Sequence, residues 1–377
     1  MIKVVQFIHG MNMGGAETLV KEYALRIDKT KFSVNVLCFD HQNSPYEKIL
    51  KDAGVEVTYI CERIPSVLQF LSNRFRIVNK VFRYFYVRKY IHEQDPDVIH
   101  AHLVVNSYIK FARPKKGTHI FFTQHYQVKR WREAFSKDIQ SLKWIIGHYP
   151  TKIIALNEEM RQEINLLLNI NNTIVLNNGI DLEKFQTEID KSEKRKNLNI
   201  PEKAFVVGHV GRFAPVKNHK FLVQVFSEIK KVQDDAFLLM IGKGDTEDSI
   251  RKQLAELKML DSMLILNDRT DVAELLKIMD VVVFPSITEG LGISIIEMQA
   301  SGIPCVASDG VPRATEISNK ICYMSLQDSA EYWAQTSLEI AHNEERVEYT
   351  DDLNNWNIKV MIAKLEAMYK DVADGKE

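Results

Sequence analysis

Short apolar runs alternate with amphipathic stretches along the chain, and the alternation starts afresh near its middle. In the first half, residues 2–9, 32–39, 55–60, 97–102, 119–124 and 152–157 are brief runs rich in β-branched and aromatic residues between turn formers, as strands are. Amphipathic segments at 16–26 and 46–53, and a long helical region before residue 97, fill the gaps. The second half repeats the pattern, with strands at 204–211, 236–244, 263–268 and 281–284 and helices at 219–233, 248–257, 272–279 and 293–301. This β–α order predicts an α/β protein of two doubly wound parallel-sheet domains. A length of 377 residues also favours two cores over one. Two such halves imply a cleft between them, a common place for a ligand. Asn177, Asn178 and Gly179 form a turn that suits the seam, giving domains 1–176 and 177–355. Residues 186–201 read as a polar surface excursion, and 356–372 as a last amphipathic helix before a fraying tail.

Composition narrows the class. The apolar share of 45% and charged share of 26% suit a soluble globular protein. No apolar run approaches the ~20 residues of a membrane span, and the first strand lacks the long apolar core of a signal peptide. A cytoplasmic location is expected. Cys38, Cys61, Cys305 and Cys322 lie far apart without metal-ligand spacing and read as reduced thiols.

The net charge of −1 conceals a division. Residues 1–175 carry 25 Lys+Arg against 16 Asp+Glu, so the remainder carries 24 against 34. A basic half suggests an anionic surface facing it. Its densest part, residues 73–92, holds six Lys/Arg (Arg74, Arg76, Lys80, Arg83, Arg88 and Lys89), six Phe/Tyr and no acid. A second acid-free run at 110–132 adds seven basic residues. A basic, aromatic helix suits the anionic inner face of a membrane, where the protein would lie peripherally. A helix packed on the sheet with a solvated basic face is the plainer reading. Nucleic acid is not expected, because no nucleic-acid-binding motif accompanies the charge.

The chemistry concentrates in residues 281–308. An apolar strand there leads through Pro285 and Ser286 to a loop containing Gly290 and Gly292, then to a helix and a second strand. Free backbone N–H groups at the helix start favour an anion. Glu289 in the loop and Glu297 in the helix are out of place beside phosphate but suited to sugar hydroxyls, which donate to carboxylates. Arg212 and Lys217 follow another strand and would converge on one diphosphate, or else be solvated surface charges. Gly14-Gly15 lead the chain closely past a ligand, or form a plain β–α turn. His125, after a strand, would hydrogen-bond a sugar hydroxyl or a carbonyl, or be structural. His100 and His102 alternate on one strand face and read as packing, since no third metal ligand has suitable spacing.

Together GGAE (14–17), NNGIDLEKF (177–185), GRFAPVKN (211–218), IGKGD (241–245) and EGLGISIIE (289–297) resemble retaining glycosyltransferase family 4. The resemblance runs in order from about residue 5 to 317. It implies the GT-B fold, two Rossmann-like domains facing a cleft, with residues 356–377 crossing back onto the first. It implies transfer of a sugar from a nucleotide-diphosphate sugar, taken as UDP-linked, to a saccharide acceptor, with no metal and no cofactor. The acceptor would be a lipid-linked saccharide of a bacterial exopolysaccharide or capsule.

By the same resemblance, Arg212 and Lys217 neutralise the diphosphate, Glu297 takes the ribose and Glu289 the transferred sugar. The backbone of Gly290, Leu291, Gly292 and Ile293 serves phosphate and sugar, and Gly14-Gly15 pass near the phosphates. His125 stands beside the donor sugar, and Arg269 frames the base. Arg313 departs from the family, which usually has small or apolar residues there. The other readings are a phosphorylase or hydrolase of the same fold, and a non-catalytic subunit that binds nucleotide sugar.

Overall fold

A computed structural model describes residues 1–66, 68, 74–343, 345–373 and 375, with the side chains of residues 76, 351 and 352 outside that description. The chain divides into two compact units, Met1–Gly179 with Ile358–Glu377, and Ile180–Asn357.

The first unit is a seven-stranded sheet: β1 (Ile2–Phe7), β2 (Phe32–Cys38), β3 (Glu56–Tyr59), β4 (Val98–His102), β5 (His119–Thr123), β6 (Thr151–Ala155) and β7 (Ile174–Val175). Its order is β3-β2-β1-β4-β5-β6-β7, and every pairing is parallel. The second unit has six parallel strands, β8 (Val206–Val210), β9 (Phe237–Ile241), β10 (Met263–Leu266), β11 (Val281–Phe284), β12 (Cys305–Ser308) and β13 (Ile321–Met324). Their order is β10-β9-β8-β11-β12-β13. β4, β8, β9, β11 and β12 are buried on both faces, which is why they read as continuous apolar runs rather than alternating ones. Each sheet reverses its winding once, at β1/β4 and at β8/β11. The loops after those strands open a crevice at the sheet's carboxyl edge, where such sheets hold ligands.

Several elements escape a reading by pattern. β7 has only two residues, too few to show a period, and β13 is not among the strands the pattern predicts. The acid-free run at 110–132 is not one surface. It contributes to the helices Asn106–Ala112 and Val128–Ala134, with β5 between them. Within 186–201 the helix Lys191–Asn197 is capped by Asp190, whose side chain accepts from Glu193 N at 2.9 Å. Its Arg195 fork donates to the carbonyls of Ile278, Glu202 and Ala204 and pairs with Asp280 at 2.9 Å. A guanidinium that satisfies three carbonyls holds this segment against its own unit, so it is not a free excursion.

The helix Ile358–Ala373 completes the first unit. Ile358, Met361, Ile362, Leu365, Tyr369 and Val372 follow helical spacing and share a core with Val4, Tyr23, Phe32, Val98 and Phe121. Gly179 matters here through space: a Cβ on it would lie 2.6 Å from Ile358 Cα.

Asp138 is buried in this unit. It accepts from Asn106 N at 3.0 Å, Asn106 Nδ2 at 2.8 Å and Trp131 Nε1 at 3.3 Å, tying together the helices on either side of β5. Burial outweighs these three donors and raises the carboxyl to about 6. A carboxyl raised in the folded state binds its proton more tightly there than in the unfolded chain. Its contribution is therefore largest below pH ~4 and is lost as pH rises through about 6, a loss of roughly 3 kcal/mol. Asp138→Asn is expected to remove that decline. The test is the difference in urea-unfolding free energy between variant and parent at steps from pH 4 to 7, and a constant difference would contradict it.

Candidate functional site

In the second unit the reversal at β8/β11 places two loops side by side. After β8 comes Gly211-Arg212, then a 3-10 turn at Pro215–Lys217, then Asn218 in the left-handed region (φ 54°), opening the helix His219–Val232. After β11, Pro285 and Ser286 lead to Glu289. Ile287 N donates to Val216 O at 2.7 Å and ties the loops together, while Glu289 N donates to Gly310 O at 3.1 Å. The result is an ion pair: Lys217 Nζ lies 2.7 Å from Glu289 Oε1, with side chains only 15% and 11% exposed. The ammonium also sits 4.6 Å from the Phe284 ring centroid, a cation–π contact. Arg212 is exposed on the same loop.

The loop after Glu289 ends at Gly292, whose φ of +81° suits glycine and whose position caps the helix Ile293–Ala300 without a side-chain hydrogen bond. The first N–H groups of that helix follow directly. Leu291 is buried, and Gly290 and Ile293 are half-buried beside it. Glu297 stands one turn along, half-buried. Beneath this region His209, at the end of β8, has its Nδ1 3.0 Å from Val283 O, so Nδ1 carries the proton and donates. Burial, with nearby His219 and Lys217, holds His209 well below its usual pKa. It is a neutral ring whose Nε2 is a buried acceptor. Among the described residues the Ser286 hydroxyl is likewise buried without a hydrogen-bond partner. Sequence reasoning took His209 only as part of a strand, although a histidine two residues before Gly211-Arg212 was the signal available.

Arg269 forms a bidentate pair with Asp271, at 2.7 Å through Nε and 2.5 Å through Nη2. Lys194 reaches both Asp271 (2.7 Å) and Glu274 (2.5 Å). Asp271 is pulled down to about 2, its burial being outweighed by these two cations. The guanidinium plane is thus fixed by a network that sequence reasoning did not include. Arg313 lies 3.8 Å over the Tyr323 ring, stacked within its own unit.

In the first unit, Gly14 precedes the helix Gly15–Arg26 in an extended conformation, and Gly15, its first residue, is exposed. His125, half-buried after β5, meets His102 through Nε2 to Nδ1 at 3.0 Å. Burial pushes His125 and His100 down to about 3 and His102 well below its usual value, so all three rings are neutral. His100 and His102 are fully buried and hydrogen-bonded, not merely packed. Among the described residues no group of three or more His, Cys, Asp or Glu side chains is placed to hold a metal ion.

The basic aromatic stretch forms the helix Arg76–Gln94; Asn73 and the Arg76 side chain lie outside the described residues. Ile77 (80% exposed), Val81 (57%) and Phe85 (56%) follow each other at four-residue spacing. Lys80 and Lys89 are exposed along the same side, and Arg74 just before the helix is exposed as well. Arg83 and Arg88 do not join them. Arg83 pairs with Asp40 and covers Phe39, and Arg88 donates to the carbonyls of Phe111 (3.2 Å) and Ala112 (3.1 Å). Those two cations satisfy groups of the unit itself, which corrects their expected outward placement.

Known proteins match this pattern over nearly the whole chain. The model of Glycosyltransferase Family 4 matches residues 13–184, and that of Glycosyl transferases group 1 matches residues 190–352. The putative glycosyltransferase EpsF of Bacillus subtilis is 28% identical over 344 residues, covering 89% of this chain and 86% of that protein. An Escherichia coli UDP-Gal:alpha-D-GlcNAc-diphosphoundecaprenol alpha-1,3-galactosyltransferase is 30% identical over 186 residues, 48% of this chain and 46% of that one. Among solved structures, Anabaena Alr3699/HepE in complex with UDP and glucose superposes with a TM-score of 0.73 at 17% identity, covering 98% of this chain and all of that one.

Proposed function

Since the chain belongs to glycosyltransferase family 4 and has the GT-B fold, we propose that it is a retaining enzyme that moves a sugar from a UDP-linked donor to a lipid-linked saccharide acceptor in bacterial surface polysaccharide assembly. The observation that carries this reading is the Lys217–Glu289 pair beside the Gly292 helix start. It sets a cation, a carboxylate and free backbone N–H groups within one loop pair, matching the diphosphate and hydroxyl groups of a nucleotide sugar. Arg212, Lys217 and the N–H groups at 290–293 stabilise the departing diphosphate, with no divalent cation required. Glu297 accepts from the ribose, Glu289 and His125 hydrogen-bond the transferred sugar, Gly14-Gly15 pass the phosphates, and Arg269 borders the base. The acceptor oxygen attacks the anomeric carbon on the face the leaving group departs from. As the bond to the diphosphate oxygen breaks, that oxygen takes the acceptor's proton, so configuration is retained and the charge balances. The acceptor class is supported by the diphosphoundecaprenol-linked substrate named for the E. coli relative.

A panel of nucleotide sugars tests the reading by thermal stabilisation and then by transfer to a diphosphoundecaprenol-linked saccharide. A true donor at ~100 times its dissociation constant adds about 2.7 kcal/mol of stability. Transfer should persist in a chelator and give a product of retained anomeric configuration by NMR. Stabilisation by none, or donor consumption without acceptor, would overturn the assignment.

We further propose that the helix Arg76–Gln94 rests on the inner membrane face. Among the described residues no helix is long and apolar enough to cross a membrane. The Ile77–Val81–Phe85 stripe with Arg74, Lys80 and Lys89 combines an apolar face with flanking cations, which suits anionic headgroups. Replacing Arg74, Lys80 and Lys89 by Gln is expected to reduce flotation with phosphatidylglycerol-rich vesicles by roughly 10²-fold, at about 1 kcal/mol per cation. Equal flotation would count against this surface.

A further inference from the structure

One unbroken line of hydrogen bonds runs through the core of the first unit and ends on His125. His125 Nε2 lies 3.0 Å from His102 Nδ1, and His102 Nε2 lies 2.8 Å from Gln6 Oε1. Gln6 Nε2 donates to the Tyr369 hydroxyl at 3.0 Å. That hydroxyl is 2.6 Å from His100 Nδ1, and His100 Nε2 is 2.7 Å from Thr123 Oγ1. Gln6 is on β1, His100 and His102 on β4, Thr123 at the end of β5, and Tyr369 on the final helix. Gln6, His100, His102, Thr123 and Tyr369 are all buried, so no solvent competes for these bonds.

With the Gln6 amide placed Oε1 toward His102 and Nε2 toward Tyr369, the half of the line that leads to His125 has one direction. A carboxamide oxygen can only accept, so His102 must carry its proton on Nε2. A neutral imidazole then has a bare Nδ1, which accepts. The only hydrogen available to it is on His125 Nε2, so that nitrogen donates. His125 is thereby left with Nδ1 as an unprotonated acceptor. At the other end the amide donates to the tyrosine oxygen, while the Tyr369 and Thr123 hydroxyls can each give or take a hydrogen, so His100 satisfies both contacts in either tautomer. Reversing His102 or His125 alone would place two donors or two acceptors face to face.

We propose that Gln6, His102 and Tyr369 are positioning residues that fix the tautomer of His125, so that it accepts, and does not donate, the hydrogen bond from a hydroxyl of the transferred sugar. This rests on the reading of His125 as a sugar contact. It gives the final helix a functional role beyond closing the core, because Tyr369 accepts from the Gln6 amide and holds it in place. It also restricts the substrate: at this position the sugar must present a hydroxyl with a hydrogen to give.

The test is ring-nitrogen NMR on protein labelled with ¹⁵N-histidine, run alongside transfer kinetics. In the parent, His125 should show a protonated Nε2 and a bare Nδ1. Tyr369→Phe frees the amide to turn, and Gln6→Met removes it. Both should yield mixed His125 tautomers and a kcat lowered about tenfold, with donor KM unchanged. Gln6→Glu keeps an acceptor for His102 and should restore the single tautomer and most of kcat. A His125 that carries its proton on Nδ1 in the parent, or an unchanged tautomer in both disrupting variants, overturns the proposal. If the tautomer responds as stated while kcat does not, the positioning role in catalysis is overturned together with the sugar-contact reading, although the hydrogen-bond line stands.

Discussion

Glu289→Gln is expected to bind the nucleotide sugar nearly as well as the parent and to transfer the sugar roughly 10²–10³-fold more slowly, the loss typical when one preorganised electrostatic contact is removed. The amide matches the carboxylate in shape but has one accepting oxygen and no charge. Lys217, 2.7 Å away, is a donor and would turn that oxygen toward itself. The amide NH₂ would then face the sugar hydroxyl, which could no longer donate as it does to the carboxylate and would have to turn to accept. The penalty grows as the anomeric carbon becomes electron-poor, since a nearby carboxylate stabilises that charge and an amide does not. The loss therefore falls on kcat and kcat/KM together. The loop itself should hold, because its position depends on backbone bonds from Ile287 N to Val216 O and from Glu289 N to Gly310 O. Single-turnover transfer and calorimetric donor binding separate the two quantities. Full activity would remove Glu289 from the mechanism, and weaker binding with unchanged kcat would recast it as a ground-state contact.

The parts of this site that were legible in the sequence are those whose signals are local. Val281–Phe284 followed by Gly290, Gly292 and an apolar helix describes a strand, a loop and a helix start within about twenty residues, and the structure has them there. The resemblance to the family likewise rests on local motifs. What stayed hidden depends on strands brought together across long separations. Lys217 and Glu289 are 72 residues apart and meet only because β11 is laid beside β8 after the winding reverses. The role of His209 as the buried acceptor below them depends on Val283 O from the neighbouring strand. The Gln6–Tyr369 bond spans 363 residues. Arg83 and Arg88 show the same limit on a helix. Spacing puts them in a basic run, but Asp40 and the carbonyls of Phe111 and Ala112 decide where they point.

Lys217→Met should lower kcat/KM for transfer by about 10²-fold and weaken binding of the donor's nucleoside diphosphate by about tenfold or more. A charge-assisted hydrogen bond is worth about 1.5–3 kcal/mol, or roughly 10- to 150-fold. Methionine keeps the apolar stem against Phe284 and removes only the ammonium. The ion pair complicates the result, because Lys217 has a partner before any ligand arrives. If its whole purpose were to hold Glu289, removing it from the Glu289→Gln variant would cost little more, and nucleoside diphosphate binding would not change. If it also serves the phosphates, the double variant falls well below either single one and the diphosphate is still bound less tightly. The second outcome is expected, since the loop that carries Lys217 also exposes Arg212 at the carboxyl end of β8, beside the Gly292 helix start. Three sources of positive potential on one loop pair exceed what a single carboxylate needs. An unchanged affinity for the diphosphate in Lys217→Met would leave Arg212 and the backbone as the phosphate site and reduce Lys217 to the partner of Glu289.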